Sequence, residues 1–537
     1  MKELSILIGG KAGFGIDKAS SIIGDIMKNL GYYVYIYRDY PSLIRGGHTF
    51  SIIRISSQKI YSHRDQVDFV LALNQDTLNF HKHRLKKDSV VIYDSDSVKL
   101  DDMPGGMKQG IGIAIGKIIK DENASEIMRN TCIIGCFCKA AGIAWDVLEA
   151  TFREDVAREL ELNLKIALSG YNGSKESMKI ERLPEKGLPV ITGNEAISRG
   201  LIKAGLNAYI SYPMTPSSGI LHYMASVAEK SSLKVIHPEN EIAVILMALG
   251  FSYAGGKAAV GTSGGGFCLM TEGLSLAAMA ELPVLIVMGQ RPGPSTGLPT
   301  YTSQTELHFV LNAGQGEFSK FVAAPGDLEE AYYWSGIGLN MAWKYQIPAI
   351  ILSDKTLAEG NYSFDIEAVK EVKDEQPLAR VFPPAKGKAI KVNSYEHDEN
   401  GITTEDPVIT KAMQDKRLQK EKALSEELGN YETVKIYGNE GSRSAIVSWG
   451  SNKGVAREAA EKMGLKLIHV PVLWPFPLKK FQDAIKGVET LIVIENNATG
   501  QFVKLMQLFG LKADKKILKY DGRPFSVDEL EQELKKL

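Results

Sequence analysis

The segment from His237 to Met288 constrains the fold more strongly than any other part of the chain. Glu241 opens an apolar run of helical length, and a short apolar strand then leads into a small-residue turn at Thr262–Gly266. A second helix and a second apolar strand, Leu282–Met288, follow. Alternation of helices with continuously apolar strands is typical of parallel sheets covered on both faces. A doubly wound α/β domain is therefore predicted here.

Glu241 has two possible interpretations. Acids in the first turn of a helix are common because the helix dipole stabilises them, and Glu239 and Glu241 both fit that description. Downstream, Gly250 and Ala254 precede the Thr-Ser-Gly-Gly-Gly run that begins at Thr262. These small residues favour the second interpretation, in which Glu241 is a functional acid beside a close backbone approach.

The whole pattern resembles the pyrimidine-binding domain of thiamine diphosphate enzymes. The resemblance implies that Glu241 hydrogen-bonds the aminopyrimidine ring and favours the tautomer that removes the thiazolium proton. It also implies that Thr262, Ser263 and Gly264 lie against the cofactor. At Gly265, the narrower family that the next two motifs resemble usually has proline, and the change is expected to loosen the turn.

Two further motifs narrow the resemblance. One is Tyr212-Pro-Met-Thr-Pro216, and the other is the loop from Gln290 to Gln304, which contains Arg291, Ser295, Thr296 and Thr300. Together they resemble the α subunit of 2-oxoacid:ferredoxin oxidoreductases, closest to the 2-oxoglutarate type. The resemblance implies that Thr215 acts in catalysis beside Glu241, and that the substrate is bound by Tyr212, Arg291 and Thr300. Taken alone, the prolines could shape a turn and Arg291 could be an exposed loop cation; an arginine in such a loop can also grip a carboxylate through two hydrogen bonds.

Residues 1–178 alternate strand and helix, which predicts a first doubly wound domain. The glycine-rich turn Gly9–Gly15 lacks the spacing of a dinucleotide site. The segment instead resembles the γ subunit of the same oxidoreductases, fused ahead of α. That resemblance implies that Arg45-Gly-Gly-His48 faces a ligand, although a purely structural loop is an equal alternative.

The remaining chain divides into three parts. Residues 188–385 form the pyrimidine-binding domain, after a polar linker at Ser169–Gly187. Residues 386–430 form a charged connector, in which His397 and its acidic neighbours suggest a solvated segment more than a metal site. Residues 431–537 resemble the transketolase C-terminal-like domain of these α subunits. The predicted fold class is thus α/β, with three doubly wound domains.

Composition limits the possible partners. The 537 residues carry a net charge of −1 with both signs interspersed, so neither nucleic acid nor an anionic membrane is indicated. The apolar runs are too short to span a membrane, and the N-terminus reads as a first strand, so a cytoplasmic protein is expected. The four cysteines lack a cluster-binding pattern and are expected to pack as buried apolar residues: Cys132, Cys136, Cys138 and Cys268.

No Gly-Asp-Gly motif for diphosphate-bound Mg²⁺ occurs in the sequence. Under the resemblance, Mg²⁺ and a [4Fe-4S] cluster then belong to a β subunit in an (αβ)2 complex, and thiamine diphosphate is shared between the subunits. No metal site is expected in this chain.

The reaction implied by the resemblance is oxidative decarboxylation. A 2-oxoacid and coenzyme A give acyl-CoA, CO2 and two electrons for ferredoxin, with 2-oxoglutarate the preferred substrate. Pyruvate or broad-range activity, a non-redox thiamine enzyme and a non-catalytic scaffold subunit are the alternatives.

Overall fold

The computed structural model describes residues 3–42, 46–100, 110–376 and 380–537. The chain forms two compact units, each with its own core. The first comprises residues 1–191, 360–365 and 526–532, and the second comprises 192–359, 366–525 and 533–537.

An eight-stranded mixed sheet, in the order β6-β5-β4-β1-β3-β2-β14-β7, forms the centre of the first unit. Its strands are β1 Glu3–Lys11, β2 Tyr33–Asp39, β3 His48–Ser56, β4 Val67–Ala72, β5 Leu85–Asp94, β6 Gly110–Ile113, β7 Val190–Thr192 and β14 Asn361–Ser363. Strands β1, β4, β5 and β6 run parallel, as the alternation predicted. Strand β3 is the next strand after β2, and it pairs antiparallel with both β2 and β1.

Helices cover this sheet. They are α1 Ile16–Asn29, α2 Gln75–His81, α3 Ile115–Asp121, α4 Arg129–Ala140, α5 Trp145–Asp155 and α6 Leu160–Asn172, with 3₁₀ turns at Lys82–Arg84 and Glu126–Met128. Helix α6 extends into the segment predicted as the linker from Ser169, because its apolar face packs on α4.

Close packing of α4 on α6 explains the cysteine-rich sequence. A Cβ on Gly170 would lie 2.0 Å from the carbonyl oxygen of Cys132, so the two helices approach to backbone contact. Cys132, Cys136 and Cys138 are fully buried in the core of the first unit, as predicted. Burial raises the pKa of the Cys136 thiol to about 11 and that of Cys132 to about 12, so both stay protonated and pack as small apolar groups.

The second unit contains a seven-stranded, mostly parallel sheet in the order β18-β12-β13-β11-β10-β8-β9. Its strands are β8 Ala208–Ile210, β9 Lys234–Ile236, β10 Ala258–Thr262, β11 Val284–Gln290, β12 Phe321–Ala323, β13 Pro348–Asp354 and β18 Val472–Trp474. The central strands β10, β11 and β13 are buried along their whole length. Helices on both faces account for that burial and for the continuous apolar runs in the sequence. These helices are α7 Gly193–Lys203, α8 Ser218–Val227, α9 Glu241–Tyr253, α10 Gly264–Met279, α11 Leu307–Asn312, α12 Leu328–Tyr345 and α13 Lys355–Glu359.

A five-stranded sheet in the order β15-β17-β16-β19-β20 lies in the C-terminal part of the second unit. Its strands are β15 Lys435–Gly438, β16 Ser444–Ser448, β17 Lys466–His469, β19 Thr490–Glu495 and β20 Lys515–Leu518. The accompanying helices are α15 Asn452–Met463, α16 Leu478–Ala484 and α17 Gln501–Leu508. The last helix, α18 Val527–Lys535, lies mostly in the segment 526–532 of the first unit. Strand β18, which also comes from this part of the chain, pairs with β12 of the seven-stranded sheet.

A 3₁₀ turn at Ile366–Ala368 precedes the charged connector, which contains one long helix, α14 Pro407–Leu428. Asp406 caps α14 by accepting hydrogen bonds from the amides of Val408 and Ile409. Glu396 pairs with the buried Arg417 of this helix, with Oε1 3.1 Å from the guanidinium. These two acids therefore stabilise the connector, Asp406 by capping its helix and Glu396 by pairing with Arg417. No helix within the described ranges is long and apolar enough to cross a membrane.

A buried ion cluster joins the two sheets of the second unit. Lys453 on α15 lies 2.7 Å from Glu330 on α12, and it also bonds Asp327. The His469 ring is 2.9 Å from the second oxygen of Glu330. Burial alone would raise the pKa of Glu330, but Lys453 and His469 lower it well below the usual range. The carboxylate is thus ionised inside the protein and compensates the charge of Lys453.

Candidate active site

Glu241 is turned into the protein rather than used as a helix cap. The cap of α9 is Asn240, whose side chain accepts a hydrogen bond of 3.0 Å from the amide of Ala243. Glu241 is 4% exposed, and its Oε1 has no hydrogen-bond partner among the described residues. Glu239, two residues earlier, is exposed. A buried oxygen without a partner is costly, so this geometry favours a ligand for Glu241 over helix-end stabilisation.

Thr262 lies beside Glu241, and a glycine makes their approach possible. A Cβ on Gly266 would lie 2.2 Å from Thr262 Oγ1 and 2.5 Å from Glu241 Oε1. The two side chains, from α9 and the end of β10, therefore meet above Gly266.

The small-residue turn is shorter than predicted. Thr262 still belongs to β10, Ser263 is the N-cap, and α10 already begins at Gly264. The glycines form the first turn of this helix because they allow Glu241 and Glu306 to lie against its backbone. The Ser263 hydroxyl is buried without a partner among the described residues, so a second polar atom here is available to a ligand.

Replacing Gly265 and Gly266 separately with alanine should change the free energy of unfolding in opposite directions. A Cβ on Gly265 meets only the carbonyl oxygen of Ser295, at 3.9 Å, so Gly265→Ala should raise the free energy of unfolding by ~0.4–1 kcal/mol. Gly266→Ala would collide with Thr262 and Glu241 and should lower it by about 1–3 kcal/mol. Thermal unfolding of the purified chains measures both, and equal changes in the two variants would contradict the described geometry.

A cavity of about 470 Å³ opens beside the start of α10. This volume lies within the usual range for small-molecule sites. Its lining includes both polar and apolar residues: Met214, Gly264, Gly265, Cys268, Arg291, Gly293, Pro294, Ser295, Thr296, Thr305, Glu306 and Phe309. Of the residues predicted from the sequence, Gly264, Arg291, Ser295 and Thr296 thus share one cavity.

Arg291 follows β11 directly, at the carboxyl edge of the sheet. Its Nη1 donates a hydrogen bond of 2.9 Å to the backbone oxygen of Thr215, which fixes the guanidinium between the two motif loops. The residue is 8% exposed. Burial lowers the pKa of Arg291, and Glu306 partly offsets the effect. A buried cation of this kind attracts anions strongly, because little water screens it.

The other predicted substrate residues lie outside the described cavity lining. Thr215 reaches Arg291 through its backbone. Tyr212 is 38% exposed and contacts the ring of His237 edge-on, with ring centroids 6.0 Å apart. Thr300 is buried, and its hydroxyl has no partner among the described residues. The structure therefore brings Arg291 to the backbone of Thr215. It also brings Glu241 to Thr262. Tyr212 and Thr300 lie outside the cavity lining.

The sequence patterns did not indicate Glu306 as a residue of the candidate site. It is 8% exposed and lines the cavity with Arg291. Burial raises its pKa to about 7, and hydrogen bonds from Thr305 and the charge of Arg291 oppose the rise. Because Glu306 immediately precedes α11, it resembles an ordinary acid at a helix start, and no spacing rule distinguished it.

The prediction for Cys268 is wrong. It was expected to be buried with the other cysteines, but it is exposed and lines the cavity. The glycines in the first turn of α10 carry no side chains that could cover the thiol from the cavity side.

Gln304 connects the cavity loop to the C-terminal sheet. Its buried amide donates to the carbonyl of Trp449 at 2.9 Å and accepts from Asn452 at 2.8 Å. It also accepts from the amide of Asn496 at 3.0 Å. Gln501 holds the next turn by donating to the carbonyl of Thr305 at 2.7 Å. The C-terminal sheet thus positions the chain between Arg291 and Glu306, a role that the motifs did not indicate.

In the first unit, the expected ligand loop is described only in part, since Arg45 lies outside the described residues. Gly46 and Gly47 have φ of 60° and 118°, where glycine is favoured. His48 lies beside His81, with their Nε2 atoms 3.0 Å apart.

Comparison with known proteins agrees with this architecture. Residues 199–433 match the family model "pyruvate flavodoxin/ferredoxin oxidoreductase, thiamine diP-binding", and residues 5–173 match "pyruvate ferredoxin/flavodoxin oxidoreductase". A 2-oxoacid:ferredoxin oxidoreductase subunit alpha of Sulfolobus sp. is 31% identical, over 100% of this chain and 97% of the relative. The 2-oxoglutarate synthase subunit KorA of Archaeoglobus fulgidus is 32% identical, over 59% of this chain and 90% of the relative.

A solved structure gives the same result for the fold. The 2-oxoglutarate:ferredoxin oxidoreductase of Magnetococcus marinus, with 2-oxoglutarate, coenzyme A and succinyl-CoA bound, superposes with a TM-score of 0.89. It is 27% identical, and the match covers 100% of this chain and 99% of that one. With full-length relatives and matched domain models in agreement, the chain belongs to the family of 2-oxoacid:ferredoxin oxidoreductase α subunits.

Proposed function

We propose that this chain activates thiamine diphosphate and binds the 2-oxoacid in a coenzyme A-dependent oxidoreductase whose preferred substrate is 2-oxoglutarate. In that reaction 2-oxoglutarate and coenzyme A give succinyl-CoA, CO2, one proton and two electrons for ferredoxin. The reverse direction is open where ferredoxin is sufficiently reducing.

The observation that carries this proposal is the free carboxylate oxygen of Glu241 beside Thr262 and the backbone of Gly266. The pyrimidine of thiamine diphosphate carries nitrogen groups that can satisfy such an oxygen, and the absence of a Cβ at Gly266 lets Glu241 and Thr262 lie together against the backbone. Bound there, the cofactor would supply the nucleophilic carbon that attacks a 2-oxoacid. Glu241 would hold the ring and exchange its proton, while Thr262, Ser263 and Gly264 would lie against it.

Substrate binding is assigned to the cavity that Arg291 lines. The guanidinium can bind a carboxylate through two parallel hydrogen bonds. Arg291 is held against the backbone of Thr215, which supports a role for the Thr215 hydroxyl at the keto oxygen of the substrate. Tyr212 and Thr300 would contact the substrate from outside the described cavity lining. The dicarboxylate in the Magnetococcus marinus structure favours 2-oxoglutarate.

A broader substrate range is the second candidate. The relatives that match along the whole chain are called 2-oxoacid oxidoreductases, without a named acid. Pyruvate and branched 2-oxoacids are therefore the substrates to compare.

A β subunit is required by this proposal. The sequence has no Gly-Asp-Gly motif, and the buried thiols of α4 are held protonated, so Mg²⁺ and a [4Fe-4S] cluster are assigned to the partner in an (αβ)2 complex. Coenzyme A is assigned to the assembled enzyme.

Activity should appear only on assembly. The chain produced alone should be colourless and inactive, and the native complex should reduce ferredoxin with 2-oxoglutarate and coenzyme A. Rates with 2-oxoglutarate, pyruvate and a branched 2-oxoacid at matched concentrations decide the substrate. Iron–sulfur absorbance in the purified lone chain, or turnover without any partner, would contradict the assignment.

A further inference from the structure

We propose that Glu306 is a titratable acid of the binding cavity that controls the charge offered to an anionic substrate by Arg291. This inference rests on the proposed function of the cavity. It adds a residue that neither the sequence motifs nor the resemblance indicated. When Glu306 is neutral, the whole charge of Arg291 is available to an incoming carboxylate; when Glu306 is ionised, it competes with that carboxylate.

The geometry of Glu306 supports a role toward a ligand. Its Oε1 accepts a hydrogen bond of 3.0 Å from the Thr305 hydroxyl. Its Oε2 is buried and has no hydrogen-bond partner within the described part of the chain. A structural carboxylate at this depth would be expected to have all its oxygens satisfied. Glu306 instead lines the cavity with one oxygen available.

The backbone around Glu306 is built to admit the carboxyl group. A Cβ on Gly264 would lie 2.9 Å from its Oε1, so a side chain at this position of α10 would displace the carboxyl group. The amide of Glu306 donates to the Gln290 side chain at 3.3 Å, and Gln304 anchors the preceding turn. The position of the carboxyl group is therefore fixed by contacts on both sides.

Four charged or titratable groups among the described residues lie around Glu306. Arg291, from the loop after β11, lines the same cavity, and its charge opposes the rise of the Glu306 pKa. The others come from three neighbouring elements: Cys268 of α10 in the cavity lining, Glu241 of α9 beside Gly266, and His308 of α11, whose Nε2 lies 2.8 Å from the Gln501 carbonyl oxygen. Since burial raises the pKa of Glu306 to about 7, its charge changes within the neutral range.

The charge of Glu306 determines how anion affinity depends on pH. Below pH 7 Glu306 is mostly neutral and a carboxylate binds beside Arg291 without competition. Above pH 7 the anion must be accompanied by a proton that neutralises Glu306. Apparent affinity is reduced by the fraction of protein in the competent state, so it should weaken about tenfold from pH 6 to pH 8. The proton taken up should approach about one per anion bound at the higher pH.

Calorimetric titration of the assembled complex with glutarate tests this inference. Glutarate carries the two carboxylates of the proposed substrate but lacks the keto group, so it binds without reacting. Titration in two buffers of different ionisation enthalpy gives both the affinity and the number of protons taken up. Wild type should show the tenfold loss and the proton uptake. Glu306→Gln should bind with the same affinity at pH 6 and pH 8 and without proton uptake.

Two further variants serve as controls. Glu306→Asp keeps an acid at this position and should retain the proton uptake. Glu272→Gln makes the same chemical change at an exposed position of α10 outside this cavity, and it should behave as wild type. Proton-independent binding by wild type, failure of glutarate to bind, or unchanged proton uptake in Glu306→Gln would each overturn the inference. Turnover of 2-oxoacids by the same wild-type complex would leave the proposed function standing.

Discussion

Turnover of the assembled enzyme should fall at least ~100-fold when Glu241 is replaced by glutamine. The change keeps the shape of the side chain and removes both its charge and its capacity to exchange a proton. Because Glu241 is 4% exposed and its Oε1 has no partner among the described residues, an isosteric amide leaves the fold intact while removing the group assigned to cofactor activation. Steady-state kinetics with saturating cofactor and substrate measure the loss.

Glu239→Gln is the matched control. Both acids lie at the start of α9, but Glu239 is exposed, so its replacement should change turnover far less. Equal losses in the two variants, or a larger loss for Glu239→Gln, would return Glu241 to the role of a helix-start acid.

The KM for the 2-oxoacid should rise about 10- to 100-fold in Arg291→Lys, with little change in the KM for coenzyme A. Lysine keeps the charge but loses the planar pair of donors, and a charge-assisted hydrogen bond is worth ~1.5–3 kcal/mol. The lysine also cannot reproduce both a substrate contact and the 2.9 Å hydrogen bond to Thr215. Varying the 2-oxoacid and coenzyme A independently separates the two effects.

Arg443→Lys is the control for this substitution, since Arg443 pairs with Glu489 on the surface. Thr215→Ala provides a contrast, because it leaves the backbone contact with Arg291 intact. Its effect should fall mainly on kcat if the hydroxyl meets charge that develops on the keto oxygen. An unchanged 2-oxoacid KM together with a raised coenzyme A KM in Arg291→Lys would assign the loop to coenzyme A.

Local patterns predicted the individual helices and strands well. The helix at Glu241 and the strands around it follow from apolar runs punctuated by glycine, and the cysteine-rich helix follows from its residue types. The antiparallel pairing of β3 was not predictable in the same way, because strand periodicity carries no information about which neighbour a strand chooses.

The residues of the candidate site also differ in whether local sequence patterns could indicate them. The motifs indicated Arg291 and Glu241 as candidates, because an arginine and a glutamate near glycine-rich turns suggest ligand binding. They did not indicate Glu306 or Gln304, since the importance of these residues depends on what lies opposite them in space. Cys268 was placed wrongly for a related reason: the absence of side chains on neighbouring glycines exposes it, and composition alone favours burial for cysteine.

The Gln304 contacts bear on how such proteins can be recombined. A chimera of two relatives, joined in the connector between β13 and β15, would inherit the cavity loop from one parent and its anchors at Trp449, Asn452 and Asn496 from the other. Mismatched anchors would leave buried polar groups unpaired and the loop out of register, even if both halves folded. An interchange of domains at that boundary would therefore carry a penalty at the cavity that Arg291 and Glu306 line.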